Sequence, residues 1–341
     1  MDKVVRYTKF PDNPHGDGGA RRSAQIKEYW LGKNVEFIDE KFKLPKQYSF
    51  FTAVGWLRRS FWFVTRNIGW RQYSSWKEKY KALKVFALLF PVCYDRYKNQ
   101  NVTFIWEDTF DYFSMYLMKA AGAKIIAYPH NLESLVPHQS DQLTRKQSPY
   151  WLYEEVERFK MCDEVNCISK EETWLLQLYG VNAHYYPYYP PKEVEKELQT
   201  IKGKRERRES NEKHYLLLGS ATNCPTCKGM QQLLEVFSSI QQLPYTIHVA
   251  GYGTDIFGKY NNDKIIVHGA VSNEQLEELL IQTDGLLINQ PTTSGALTRI
   301  AECRVAGIPI YANFGAARDY YNLPDVHVYA NMEELKEILA N

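Results

Sequence analysis

The chain has no apolar run of the roughly 18 residues that a membrane-crossing helix needs. The longest apolar stretch, VFALLFPVCY at 85–94, is too short and contains Pro91. The opening MDKVVRYTKF is too polar for the apolar core of a secretory signal. Six cysteines occur, but there is one CxxC, Cys224 and Cys227, and no second CxxC or HxxxH to complete a zinc site. The pair reads as two free thiols in a loop, and a reduced, cytoplasmic setting is expected. Formal net charge is only +2, so nucleic acid is not an expected partner.

What is present is an ordinary globular composition. The 341 residues are 44% hydrophobic and 24% charged, and that length suggests two domains. Tyrosine (25), phenylalanine (16) and tryptophan (8) are plentiful, mostly as core. KVVRYTKF, NVEFIDE, VTFIWED, KIIAYPHN and EVNCIS read as strands alternating with helices. That rhythm predicts a parallel sheet covered on both faces. YYPYYPPKEVEKELQTIKGKRERRESNEK at 185–213 breaks it with prolines and then charge, the signature of a linker and solvated loop. The rhythm restarts with HYLLLGS, YTIHVAG, KIIVHGA, GLLINQP and IPIYAN. The expected division is 1–187, a hinge at 188–213, and 214–341. Two doubly wound domains facing across a cleft would place ligands at the carboxyl ends of their strands.

Chemistry concentrates in the second half. Thr293, Ser294, Gly295, Ala296, Leu297 and Thr298 form a small-residue loop entering a helix. Free amides and the helix dipole suit a diphosphate there. Glu302 lies one turn beyond Thr298, on the same face. A carboxylate in that position can accept hydrogen bonds from a ribose diol. The whole segment HGAVSNEQLEELLIQTDGLLINQPTTSGALTRIAECRVAGIPIYAN, 268–313, resembles the nucleotide-sugar site of GT-B glycosyltransferases, the retaining family 4 (group 1) in particular. Gly307 and Pro309 fall in register with that pattern. The resemblance implies a ribose-binding role for Glu302. It also implies a first glutamate, for the donor sugar, where this chain has Ser294.

LLLGSATNCPTCKGM, 216–230, looks like the family's phosphate loop, with Gly219 at its start and Lys228-Gly229 at its end. The family's arginine after the glycine is Ser220 here. Lys228 is the expected cation for the departing diphosphate, with Arg299 a second candidate. Gly251 and Gly253 resemble a turn that lets backbone approach the nucleotide, and lack the third glycine of a dinucleotide fingerprint. His268 and Gly269 end the strand where the family holds the base. No Asp-x-Asp cluster of the metal-dependent kind occurs, so no metal and no cofactor beyond the nucleotide-sugar substrate is expected.

In the first half, His130 ends a strand in YPHNLESLVP and resembles the family's histidine beside the donor sugar. Gly18 and Gly19, in KFPDNPHGDGGARRS, match the family's Gly-Gly loop after the first strand. Asp17, Arg22, Glu107, Asp108 and Asn131 are the expected acceptor contacts, and Glu133 is a neighbour without a role. The basic-aromatic stretch 50–81 reads either as a membrane-surface element or as a helix pair packed inward. These features predict transfer of a hexose, UDP-glucose first, to a glycan or lipid-linked acceptor in polysaccharide synthesis, with retention and without metal. A peripheral position at a membrane's inner face is expected. Two other readings fit the same architecture: a nucleotide-sugar epimerase, and a non-catalytic nucleotide-sugar binder.

Overall fold

The structure, a computed structural model, describes residues 2–42, 48–209 and 212–340. It divides into two compact units, Met1–Pro187 and Tyr188–Asn341. Among the described residues each unit has one six-stranded sheet.

Unit 1 contains β1 (Asp2–Tyr7), β2 (Val35–Asp39), β3 (Val102–Trp106), β4 (Lys124–Ala127), β5 (Glu164–Cys167) and β6 (Ala183–Tyr185). Its helices are α1 (Gly18–Leu31), α2 (Phe50–Asn67), α3 (Trp76–Leu89), α4 (Tyr94–Tyr97), α5 (Phe113–Ala120), α6 (Tyr150–Lys160) and α7 (Lys170–Leu178). The strands are parallel in the order β2-β1-β3-β4-β5-β6. Alternate residues of one strand face opposite sides, so both faces can be apolar only if both are covered. Val5, Phe104 and Trp106 enter one core with Phe86 and Phe159. Val4 and Ile105 enter the other with Ile26 and Trp30 of α1. Strand order reverses between β1 and β3, so the loops after those strands open a crevice, the usual ligand position in such sheets.

Unit 2 contains β7 (Lys213–Leu218), β8 (Tyr245–Ala250), β9 (Ile265–Gly269), β10 (Gly285–Ile288), β11 (Ile310–Asn313) and β12 (Val326–Tyr329). Its helices are α8 (Lys192–Arg205), α9 (Cys224–Ser238), α10 (Asn273–Gln282), α11 (Thr298–Val305), α12 (Phe314–Ala317) and α13 (Met332–Ala340). The parallel order is β12-β11-β10-β7-β8-β9. Counted from β7, that is the Rossmann order with its switch between β7 and β10. The loops after these two strands carry Gly219 and residues 289–297.

Three sequence expectations change. The charged run within 188–213 is not a solvated loop: most of it is α8, packed on α10 and α11. Its pattern explains why. Val194, Leu198 and Ile201 are buried at helical spacing, Glu193 and Glu195 sit in the first turn, and Lys202, Lys204 and Arg205 in the last. Residues 210 and 211 of the expected hinge lie outside the described residues. Cys224, Cys227 and Lys228 lie in α9, because Asn223 caps the helix by accepting from Thr226 N at 3.1 Å. Strands β6 and β12 were not evident in the sequence, because three- and four-residue strands carry too few alternations.

If α8 is part of the unit 2 core, Leu198→Ala should cost about 2–5 kcal/mol. Urea unfolding measures it; a midpoint matching the wild type would mean that the segment is only a tether.

Candidate functional site

At the switch point of unit 2, backbone meets backbone. A β-carbon on Gly251 (φ +132°) would lie 2.1 Å from Gly219 O, and one on Gly229 would lie 1.4 Å from Asn289 O. The loops after β7, β8 and β10 can approach this closely only because these residues are glycine. Ser220 is turned into its own loop: its Oγ lies 2.7 Å from Thr222 Oγ1. Gly253 and Gly269 adopt positive φ, +76° and +71°, and a β-carbon on Gly269 would strike Asp255.

The loop after β10 is pinned by Asn313, which accepts from Gln290 N at 3.0 Å and donates to Gln290 O at 2.9 Å. Gln290 Oε1 in turn accepts from Arg299 Nη2 at 2.9 Å. Beyond it, Gly295 (φ +76°) presents its carbonyl to Arg318 Nη2, and Arg318 Nη1 holds Gly315 O at 2.7 Å. The N-terminus of α11 then starts at Leu297 with no side-chain cap. Its first amides therefore need an external acceptor. Glu302, one turn in, is buried and accepts from the hydroxyl of Tyr188 at 2.7 Å. Lys228 is exposed on α9, and no ion pair or side-chain hydrogen bond engages it among the described residues. Thr293, Ser294, Ala296, Leu297 and Thr298 are all partly exposed around these groups.

His268 takes part in a ladder across three strands. His214 Nδ1 lies 3.1 Å from His248 Nε2, and His248 Nδ1 lies 2.9 Å from His268 Nε2. Burial, with His268 and His214 adding to it, pushes His248 down to about 4. A groove of about 590 Å³ lined by Gln232, Asn289, Asn313 and Asn331 includes none of the sequence-derived site residues.

In unit 1, the loops after β1, β3 and β4 converge on His130. Phe10 stacks on its ring at 4.1 Å and 5°. Glu107 Oε1 lies 3.1 Å from His130 Nε2, and Arg6 Nη1 lies 3.5 Å from Glu107 Oε2. A carboxylate only accepts, so Nε2 carries a proton, and in a neutral ring Nδ1 is then the acceptor. Gly19 is small for a reason other than ligand approach: a β-carbon there would lie 2.6 Å from the Phe10 ring. Gly18 opens α1 beside it. Asn131 is partly exposed. Burial lifts Glu133 to about 7, against a lowering hydrogen bond from Gln139.

Four expected acceptor contacts have other partners. Glu107 is buried behind His130 and orients it. Asp108 is buried and pairs with Lys9 at 2.8 Å. Asp17 caps α1, accepting from Ala20 N at 2.9 Å. Arg22 is fully buried and donates to Tyr186 O at 2.7 Å and Pro187 O at 3.2 Å, its guanidinium lying over the Tyr186 ring. It clamps the end of unit 1. Sequence reasoning missed Tyr188 and Arg318, which lie outside the quoted motifs, and Gln290 and Asn313, which lie within 268–313 but carry no pattern of their own.

No family model matches the chain, and no curated protein matches it. Solved structures do. A sucrose-phosphate synthase from Thermosynechococcus elongatus matches at 12% identity and TM-score 0.61, over 100% of this chain and 90% of its own. Anabaena HepE, solved in complex with UDP, matches at 11% identity and TM-score 0.61, over 100% and 89%. An E. coli trehalose-6-phosphate structure bound with UDP-2-fluoro glucose matches at 12% identity and TM-score 0.53, over 93% and 85%.

The His248 ladder carries a pH signature. The unfolded imidazole takes up its proton near 6.5 and the folded one near 4. Between those values the unfolded chain binds more protons, so stability falls as pH falls through that window. The melting midpoint should drop there, and His248→Gln should flatten the drop; identical pH profiles would remove His248 as its source. With the two switch points and the structural matches taken together, the chain has the GT-B fold, two Rossmann-like doubly wound domains in succession.

Proposed function

We propose that the protein is a glycosyltransferase that transfers a hexose from a nucleotide diphosphate sugar, UDP-glucose first, to a sugar acceptor. The carrying observation is the uncapped N-terminus of α11 at the β7/β10 switch point, with Glu302 buried one turn in. Amides 295–298 take the phosphates and Glu302 takes the ribose diol, held in place by Tyr188. Gly251, Gly253, His268 and Gly269 line the approach to the nucleotide. Lys228 supplies positive charge to the departing diphosphate, a role that a metal ion fills in other transferases. His130 offers Nδ1 to a sugar hydroxyl, with Glu107 fixing its tautomer. Ser294, in place of a carboxylate, contacts the sugar. Retention of anomeric configuration follows the family resemblance.

The acceptor is proposed to be a glycan or a lipid-linked sugar at a membrane surface, in polysaccharide synthesis. α2 supports this. Its inner face buries Ser60, Phe63 and Val64, while Phe50, Phe51, Val54, Phe61 and Trp62 are exposed at helical spacing. α2 and α3 together carry seven Lys and Arg residues and one acidic residue, Glu78. One of the seven, Arg59, pairs with Asp95. Aromatic side chains among unpaired cations match an anionic bilayer interface.

Three experiments test this reading. With UDP-glucose, release of UDP should depend on an acceptor from a glycan and lipid-linked panel. UDP-galactose forming without acceptor would instead identify an epimerase, and binding without turnover a non-catalytic binder. Glu302→Ala should weaken UDP binding by about 1–3 kcal/mol, and unchanged calorimetric affinity would remove the ribose assignment. Separately, the protein should co-sediment with vesicles containing anionic lipid, and Phe50→Glu/Phe51→Glu should abolish this; equal recovery of both proteins from the supernatant would rule the surface out.

A further inference from the structure

Arg299 is an arginine whose charge no carboxylate balances among the described residues. It lies partly buried in α11. Burial pushes its guanidinium down to about 10, so it stays charged at neutral pH. Of its donors, Nη2 makes a good hydrogen bond, to Gln290 Oε1 at 2.9 Å. Nη1 reaches Thr226 Oγ1 only at 3.5 Å, and Nε is buried with no partner. A cation held this way is costly unless an anion arrives.

Its position says which anion. A β-carbon on Gly219 would lie 2.9 Å from Arg299 Nη1, so the guanidinium passes directly over the start of the loop after β7. That is the loop in which the family resemblance expects an arginine and this chain has Ser220. Ser220 itself is bonded to Thr222 within the loop. The uncapped start of α11 lies one residue before Arg299.

We propose that Arg299 is the principal cation for the donor's diphosphate, delivered from α11 in place of the loop arginine that the chain lacks. Lys228 is then an auxiliary charge on an exposed helix face. Gln290 is the positioning residue, since it holds Nη2 while Asn313 holds Gln290's own backbone. The planar fork can take two oxygens at once, which an ammonium cannot. This inference rests on the reading that unit 2 binds a nucleotide diphosphate sugar, and it can fail independently.

Calorimetric titration with UDP, ADP, GDP and uridine tests both. For the wild type, at least one nucleoside diphosphate should bind; if none does, the nucleotide reading and this proposal fall together. Arg299→Gln should weaken UDP at least about tenfold and leave uridine unchanged. Arg299→Lys should weaken UDP several-fold, and it carries the test if the glutamine variant does not fold. Adding Ser220→Arg to either variant should restore most of the loss, which a merely structural arginine would not allow. Nucleoside diphosphate affinity unchanged in the folded Arg299 variants, or an equal loss for uridine, would overturn the assignment of Arg299 while leaving the nucleotide reading in place.

Discussion

Backbone contact between Gly219 and Gly251 organises the second unit. With 2.1 Å between Gly219 O and the place of a β-carbon on Gly251, no side chain fits at either loop's closest point. The loops after β7 and β8 are therefore stacked, and Gly229 seats the first turns of α9 on the loop after β10. Once those four segments are fixed, the start of α11 and the Arg299 guanidinium lie beside the loop after β7. The sheet supplies the strand ends, and the glycines decide how near they come.

Unit 1 solves a related problem with aromatic packing. Beside its switch point Phe10 lies on His130 and presses against Gly19. Behind the imidazole stand Glu107, Arg6 and Asp39, joined by bonds of 3.1, 3.5 and 2.6 Å. Burying a charge is tolerable only when it is paired, and this chain of alternating charges satisfies that condition. Glu107 thus serves the histidine, and Asp108 pairs with Lys9.

Much of the architecture was readable in advance. Alternating strands and helices announced two parallel sheets; α10 starts from Ser272, which forms a capping box with Gln275. The small-residue loop before Glu302 pointed to the candidate site. Roles of single side chains were less readable. Arg22 and Glu107 look like site residues in a sequence, because charge beside a glycine-rich turn or at the end of a strand suggests a ligand. Their partners are the segment after β6 and His130, and neither contact has a sequence signal at separations of 164 and 23 residues. α8 was hidden for another reason: two prolines and a charged tail masked a buried stripe of three residues.

By itself the sequence determined strand and helix periodicity, the glycines at tight turns, and the residue types clustered around 292–302. Those depend on local backbone preference and on spacing along the chain. Only the tertiary structure decided which charges face a site and which are locked in pairs. It also decided that an arginine from α11 lies over the loop after β7, where the local sequence offers a serine. Such choices depend on which strands are neighbours, and strand order is set by packing between residues far apart in the chain.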